Sequence, residues 1–233
     1  MSDPGPLETV FKKLCAMEVP LNERLALFSA AVREHALPYA DAYDELVARL
    51  QSADAGASAP QTGDQMPAFA LPDHHNRIHE LAEMLACGPV VVSFNRGHWC
   101  QYCLTELDAL KRGLQEICAT GGQVVSIMPE TSEFTAQVAE GVDFAFPILS
   151  DENNGYALML NLVIWMGDRA RSLWIADGVQ LDYSQGNGSW FLPIPATFVI
   201  GTDGQIIARM VDPDFRKRMD IETILSALHQ ARQ

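Results

Sequence analysis

Apolar side chains in the first fifty residues recur at intervals of three and four: Leu7, Val10, Phe11 and Leu14, then Leu21, Leu25, Phe28 and Val32, then Tyr39, Tyr43, Leu46 and Leu50. That spacing lines each group along one face of a helix. Pro20 and Pro38 divide the stretch into three helices, because a proline ring does not fit a helix interior. Residues 51–64, QSADAGASAPQTGD, are small and polar and predict a linker. From Met66 onward the period changes. A short strand is expected at 69–71, a short helix at 79–86 and a fully buried strand over 90–95. The next helix carries Leu104, Leu107, Leu110, Leu114 and Ile117 on one face and ends at Gly121-Gly122. A strand at 124–128, a helix at 131–139, a strand at 146–149 and a helical run at 154–165 follow. Residues 167–192 have no clear period and read as an insertion. Strands at 196–200 and 205–210 flank Gly201-Thr-Asp-Gly204, a strong hairpin signal. Ile221, Ile224, Leu225 and Leu228 end the chain on a helix face.

Strands alternating with helices predict an α/β fold with a mixed central sheet flanked by helices. The organisation that follows is an N-terminal helical extension over 1–50, a linker over 51–64 and a sheet domain over 65–233. The extension is expected to pack on the main domain or on a second subunit, which admits a homodimer.

Composition narrows the function without choosing it. With 48% hydrophobic and 20% charged residues the chain is an ordinary globular protein. A net charge of -14 would repel phosphates, so no nucleic-acid surface and no anionic membrane surface is expected. The apolar run at 89–93 is far too short to span a bilayer, and MSDPGPLETV has no secretory pattern. A cytoplasmic location is the expectation.

Five cysteines lie at 15, 87, 100, 103 and 118, an odd and scattered set unlike a secreted disulfide framework. One close pair among singles points to chemistry at the pair, and the other three read as small buried hydrophobes. The pair sits in FNRGHWCQYCLTEL, between the strand at 90–95 and the helix after it. Free N–H groups and the positive end of the macrodipole at a helix start stabilise a thiolate. Cys100 is expected to be exposed at or just before the first turn, with Cys103 about one turn inward and close enough for a disulfide. Structural zinc would need four ligands, and there is no second cysteine pair; His74, His75 and His79 lie well upstream. No metal and no cofactor are expected, and redox chemistry is the reading that remains.

Three segments in order carry a resemblance to a known family. They are Ser93-Phe94, Arg96-Gly97, Trp99-Cys100, Tyr102-Cys103 and Glu106-Leu107; Pro195-Ala-Thr-Phe-Val-Ile200 with Asp203-Gly204; and Val211 to Phe215 with Arg218. From about Gly63 to Leu228 the chain resembles the peroxiredoxin-like AhpC/TSA family of the thioredoxin superfamily. The resemblance implies a thioredoxin-like fold and an oxidoreductase: a thioredoxin-dependent peroxidase taking a peroxide substrate and recycled by a thioredoxin-type reductant, or a disulfide-exchange enzyme. It also implies a cis peptide at Pro195, packed against the cysteines. A redox-switched interaction module is the non-enzymatic alternative.

Two registers assign the thiols differently. The peroxiredoxin pattern Pro-x-x-x-Thr-x-x-Cys ends on Cys103, with Cys100 at the threonine and Arg96 at the proline, and its distant arginine falls on Pro195. In that frame Cys103 attacks and Cys100 resolves. The thioredoxin register makes Cys100 the nucleophile and Cys103 the resolving thiol, with Trp99 and Pro195 in support. His98 reads either as a cation favouring the thiolate or as a solvated loop residue, the second favoured. Glu106 reads as a solvated helix residue rather than a proton acceptor. Trp190 reads as pocket wall or core, and Asp212 and Asp214 as a turn.

Overall fold

The structure, a computed structural model, describes residues 5–231; residues 1–4 and 232–233 of the expected terminal segments lie outside the described residues. Three helices come first, α1 (Pro6–Ala16), α2 (Leu21–His35) and α3 (Leu37–Ser52). Pro38 sits in the first turn of α3, where its missing N–H has no intrahelical acceptor to lose. Residues 53–64 then form turns along the far edge of the sheet domain. There Gly63 N–H donates to the Ile206 carbonyl at 2.8 Å, and Ile206 N–H returns to Asp64 at 2.9 Å.

The elements that follow are β1 (Ala70–Pro72), β2 (Ile78–Glu80), α4 (Leu81–Cys87), β3 (Val90–Phe94), α5 (Gln101–Ala119), β4 (Gln123–Met128), α6 (Ser132–Gly141) and β5 (Ile148–Ser150). A 3-10 turn leads to α7 (Gly155–Met159), β6 (Val163–Trp165), α8 (Asp168–Ala176), α9 (Leu181–Ser184) and β7 (Phe191–Pro193). β8 (Ala196–Ile200), β9 (Ile206–Val211) and α10 (Ile221–Gln230) complete the chain. The central sheet has the order β5-β4-β3-β8-β9. β3, β4 and β5 run parallel, and β8 and β9 antiparallel to their neighbours. This is the mixed, helix-flanked sheet that the sequence predicts.

Strand alternation sorts the core into two layers. Val90, Val92 and Phe94 of β3, with Ala196, Phe198 and Ile200 of β8, face a layer that also holds Leu25, Phe28, Leu46 and both Cys100 and Cys103. Val91 and Val199 face the opposite layer, with Leu107, Leu110, Ile117, Val138 and Leu228. The N-terminal helices therefore share one continuous core with the sheet. Among the described residues no helix is long and apolar enough to cross a membrane.

The run at 154–165 is not one helix. Asn161 takes a left-handed φ of 56°, and Leu162 N–H closes back on the Ala157 carbonyl at 2.9 Å. This ends α7 in the usual left-handed C-terminal manner, and Val163-Ile164-Trp165 pairs with β7 instead. The aperiodic stretch at 167–192 contains α8, α9 and β7, and its Trp174 is buried. Of the three single cysteines, Cys87 and Cys118 are exposed and Cys15 is half-buried, contrary to the expectation of buried hydrophobes, because they fall at outward positions near helix ends.

Candidate functional site

β3 delivers the chain to the site and α5 receives it. Between them Gly97 has φ 140°, and a Cβ there would lie 2.7 Å from the Glu130 carboxyl, so only glycine fits. Glu130, fully buried in the loop after β4, holds the turn: it accepts from the His98 N–H at 2.7 Å and bonds His98 Nδ1 at 2.8 Å. His98 is thus neither a solvated loop residue nor a partner of Cys100; it stacks on Phe134 and anchors the loop.

Cys100 occupies the N-cap of α5 and Cys103 its first turn. The Cys103 thiol donates to Cys100 Sγ at 2.8 Å. Cys100 is only 2% exposed, against the expectation of an exposed sulfur. The cause lies outside the local motif: α2, α3 and α8 roof the helix start. Tyr39 donates to the Leu173 carbonyl at 2.8 Å and reaches Asp177 at 2.6 Å, tying α3 to α8. Arg24 pairs with Asp108 of α5 at 2.6 Å, and Ser29 meets the Tyr102 hydroxyl at 3.1 Å.

Two buried arginines flank the sulfurs. Arg96 donates from Nη2 to Cys100 Sγ at 3.2 Å and from its backbone N–H to Cys103 Sγ at 3.4 Å. Its guanidinium carbon lies 3.8 Å from the Phe215 ring centroid and 5.4 Å from that of Trp99. Its Nε and Nη1, like Trp99 Nε1, have no partner among the described residues. Arg218 reaches Cys103 Sγ at 3.5 Å from the other side and pairs with Glu106 Oε2 at 2.5 Å. Glu106 is 2% exposed and accepts from Ser93 and Thr197, both at 3.1 Å, through Oε1. It is no solvated surface residue: it sits in the second turn of α5 on the inward face, and burial raises its carboxyl pKa against the pull of Arg218.

These contacts separate the two thiols. Burial by itself would push Cys100 up. The hydrogen bond from Cys103 and the guanidinium charges of Arg96 and Arg218 outweigh it and bring Cys100 down to about 5. Burial and the neighbouring Cys100 thiolate hold Cys103 well above its ordinary value. For Arg96, burial disfavours the charge, but the sulfur pair beside it more than compensates. One acidic sulfur with a protonated thiol beside it is an arrangement fit for nucleophilic attack followed by disulfide closure. Iodoacetamide alkylation followed by mass spectrometry is expected to find Cys100 modified with a midpoint near pH 5. Cys103 is expected to react only in strong alkali, and Arg96→Gln to move the Cys100 midpoint upward.

Of the residues the sequence singled out, Cys100, Cys103, Arg96 and Trp99 come together. Pro195 is buried one residue before the Phe94–Ala196 pair, beside the end of β3. No cis peptide occurs among the described residues, so the expected cis bond at Pro195 is absent. Ile194 N–H donates to the Leu162 carbonyl at 2.7 Å, which extends the β6–β7 pairing by one residue. Trp190 is buried core beside Trp174. Asp212 and Asp214 form the expected turn, with Asp214 N–H on Asp212 Oδ1 at 2.8 Å. Sequence reasoning named Phe215 and Arg218 within a motif but gave neither a task, and it missed Glu130 and Trp174. The single available signal was the motif ending in Arg218. Among the described residues no cluster of three or more His, Cys, Asp and Glu side chains could hold a metal ion.

Solved structures with the same fold include peroxiredoxins. The peroxidoxin BcpB of Mycobacterium tuberculosis is 22% identical with a TM-score of 0.58, over 74% of this chain and 99% of that one. The peroxiredoxin 6 of Arenicola marina is 16% identical with a TM-score of 0.59, over 74% of each chain. A yeast mitochondrial 1-Cys peroxiredoxin is 16% identical with a TM-score of 0.56, over 73% of this chain and 75% of that one. No curated protein matches the sequence. Residues 62–209 match the AhpC/TSA family, covering both cysteines, Arg96 and Pro195, and on that match over a thioredoxin-type fold the chain belongs to the AhpC/TSA family.

Proposed function

We propose that the chain is a thiol peroxidase working through Cys100 and Cys103. The observation that carries this reading is the Arg96 guanidinium, which contacts the Cys100 sulfur through Nη2 while two further N–H donors stay free beside it. The Cys100 thiolate attacks the terminal oxygen of a peroxide. The O–O bond breaks, Cys100 becomes a sulfenic acid, and the leaving oxygen departs as alkoxide or hydroxide and takes a proton from solvent. The Cys103 thiol then condenses with the sulfenic acid, releasing water and closing a disulfide.

Arg96 places donors where charge develops on the leaving oxygen, the task of preorganised electrostatics. Arg218 supports Cys103 from the opposite side. A thioredoxin-type dithiol reopens the disulfide, and since both sulfurs are buried, the helical roof has to yield for it. A disulfide oxidoreductase without peroxide selectivity is the second reading, favoured by an acidic first cysteine at a helix N-cap. The burial of that cysteine weighs against a protein disulfide as substrate.

Peroxide consumption coupled to thioredoxin oxidation tests the proposal. Turnover well above that of free thiol is expected, with little reduction of insulin disulfides. Peroxide consumption no faster than free thiol would overturn it, and insulin reduction in the same preparation would establish the second reading.

A further inference from the structure

A cavity of 230 Å³ lies directly against the candidate nucleophile. Its floor is Arg96, Trp99 and Cys100; Cys103 does not border it. Its walls are largely apolar and come from the helical roof, with Phe28, Val32 and Tyr43 of α2 and α3 facing Trp174 of α8. The α2 and α3 residues lie before position 62, outside the segment that matches the family. One side of the pocket is therefore contributed by this chain's N-terminal extension. Its size exceeds the roughly 150 Å³ that suffices for a benzene-sized molecule.

The polar groups at its floor are one-sided. Arg96 Nε and Nη1 and Trp99 Nε1 are buried donors with no acceptor among the described residues, and unpaired buried donors are costly unless a ligand fills them. Asp177, the one carboxylate on the lining, is already bound by the Tyr39 hydroxyl. The Arg96 charge is balanced by the Cys100 sulfur, and Arg218 by Glu106. The complementary ligand is thus uncharged, has acceptor oxygens at one end, and is apolar and up to one aromatic ring in bulk at the other.

Building on the peroxidase reading, we infer that this cavity is a specificity pocket, made by α2, α3 and α8, that selects a compact apolar hydroperoxide over hydrogen peroxide. The hydrocarbon lies among Phe28, Val32, Tyr43 and Trp174, and the oxygens lie against Arg96 and Cys100. The terminal oxygen bonds to Cys100 Sγ as the O–O bond breaks. The alkoxide left in the pocket is held by the free Arg96 donors until solvent protonates it to the alcohol. Hydrogen peroxide reaches the same donors but draws nothing from the walls.

The test compares cumene hydroperoxide with hydrogen peroxide in the wild type and in Val32→Phe, which fills the cavity away from the reacting atoms. One ring's worth of apolar contact, which hydrogen peroxide lacks, predicts a wild-type kcat/KM for cumene hydroperoxide about tenfold or more above that for hydrogen peroxide. Val32→Phe is expected to remove that advantage, lowering kcat/KM for cumene hydroperoxide about tenfold or more relative to that for hydrogen peroxide. Equal rates on both substrates in the wild type, or equal losses on both in the variant, would overturn the pocket while leaving the peroxidase standing. If neither peroxide is consumed faster than by free thiol, the peroxidase reading itself falls, and the pocket with it. Should Val32→Phe fail to fold, inhibition of wild-type turnover by the product alcohol 2-phenyl-2-propanol decides. Competition against cumene hydroperoxide supports the pocket, and its absence overturns it.

Discussion

Cys100→Ser is expected to lower peroxide turnover by at least about a thousandfold, because it removes the attacking atom rather than an assisting group. Cys103→Ser is expected to fail differently. Its Cys100 remains the sulfur bordered by the cavity and contacted by Arg96 Nη2, so one equivalent of peroxide is consumed in a burst. Turnover then stops, because no thiol stands 2.8 Å away to condense with the sulfenic acid. Trapping with dimedone and mass spectrometry should find the adduct on Cys100 in Cys103→Ser. The reverse pattern, a burst in Cys100→Ser with the adduct on Cys103, would restore the peroxiredoxin register and refute the assignment.

The pH profile follows from the same contacts. The burst rate of the wild type should be flat through neutrality and fall as pH drops through about 5, where Cys100 takes up its proton. A thiol whose folded-state pKa lies below its ordinary value stabilises the fold above that ordinary value and loses the contribution as pH falls through the folded one. The stability contribution should therefore fall progressively from about pH 9 to about pH 5, while activity falls only at the acid end of that window. In Cys103→Ala the thiolate keeps Arg96 and Arg218 but loses the hydrogen bond from the thiol, so the acid limb should shift upward.

What could be read ahead of the structure was whatever is local. Short apolar runs such as Val90 to Phe94 and the Asp203-Gly204 turn locate the sheet and its hairpin, and the three-four spacing of Leu21, Leu25, Phe28 and Val32 locates a helix. The Cys100–Cys103 spacing likewise locates the site. Direction was not legible. The same apolar face on α2 fits a second subunit as well as a roof over α5, so the burial of Cys100 could not be foreseen. The groups that tune the sulfurs come from far along the chain: Glu130 stands 32 residues beyond His98, and Arg218 stands 112 beyond Glu106. Such pairings rest on tertiary contact, and no local period encodes them. The run at 154–165 failed for another reason. A mixed apolar stretch carries both periods, and a single left-handed residue, Asn161, decides where the helix stops.

The largest effect on stability is expected from Arg218→Met. Arg218 and Glu106 are nearly inaccessible and joined at 2.5 Å, and Arg218 also donates to the carbonyls of Phe215 and Lys217. Its own backbone is clamped to α2, where Asn22 donates to its carbonyl at 2.9 Å and accepts its N–H at 3.1 Å. Removing one member of a buried pair strands the other charge, at a cost of about 3–5 kcal/mol. In a chain of this size that lowers Tm by roughly 6–20 °C. Glu106 would then be forced to protonate, which its raised carboxyl pKa already favours. The double variant Glu106→Leu with Arg218→Met removes both charges and should recover much of the loss, since the pair contributes little beyond satisfying itself. It should not recover the thiol chemistry. Without Arg218 near Cys103 Sγ, the resolving thiol becomes harder still to ionise, and Cys100 loses one of the charges that keep it acidic. Thermal unfolding and Cys100 alkylation on the same three proteins separate the two roles. A double variant with restored Tm but an upward-shifted Cys100 midpoint is the expected result. Restoration of both would show that Arg218 is structural alone, acting on neither sulfur.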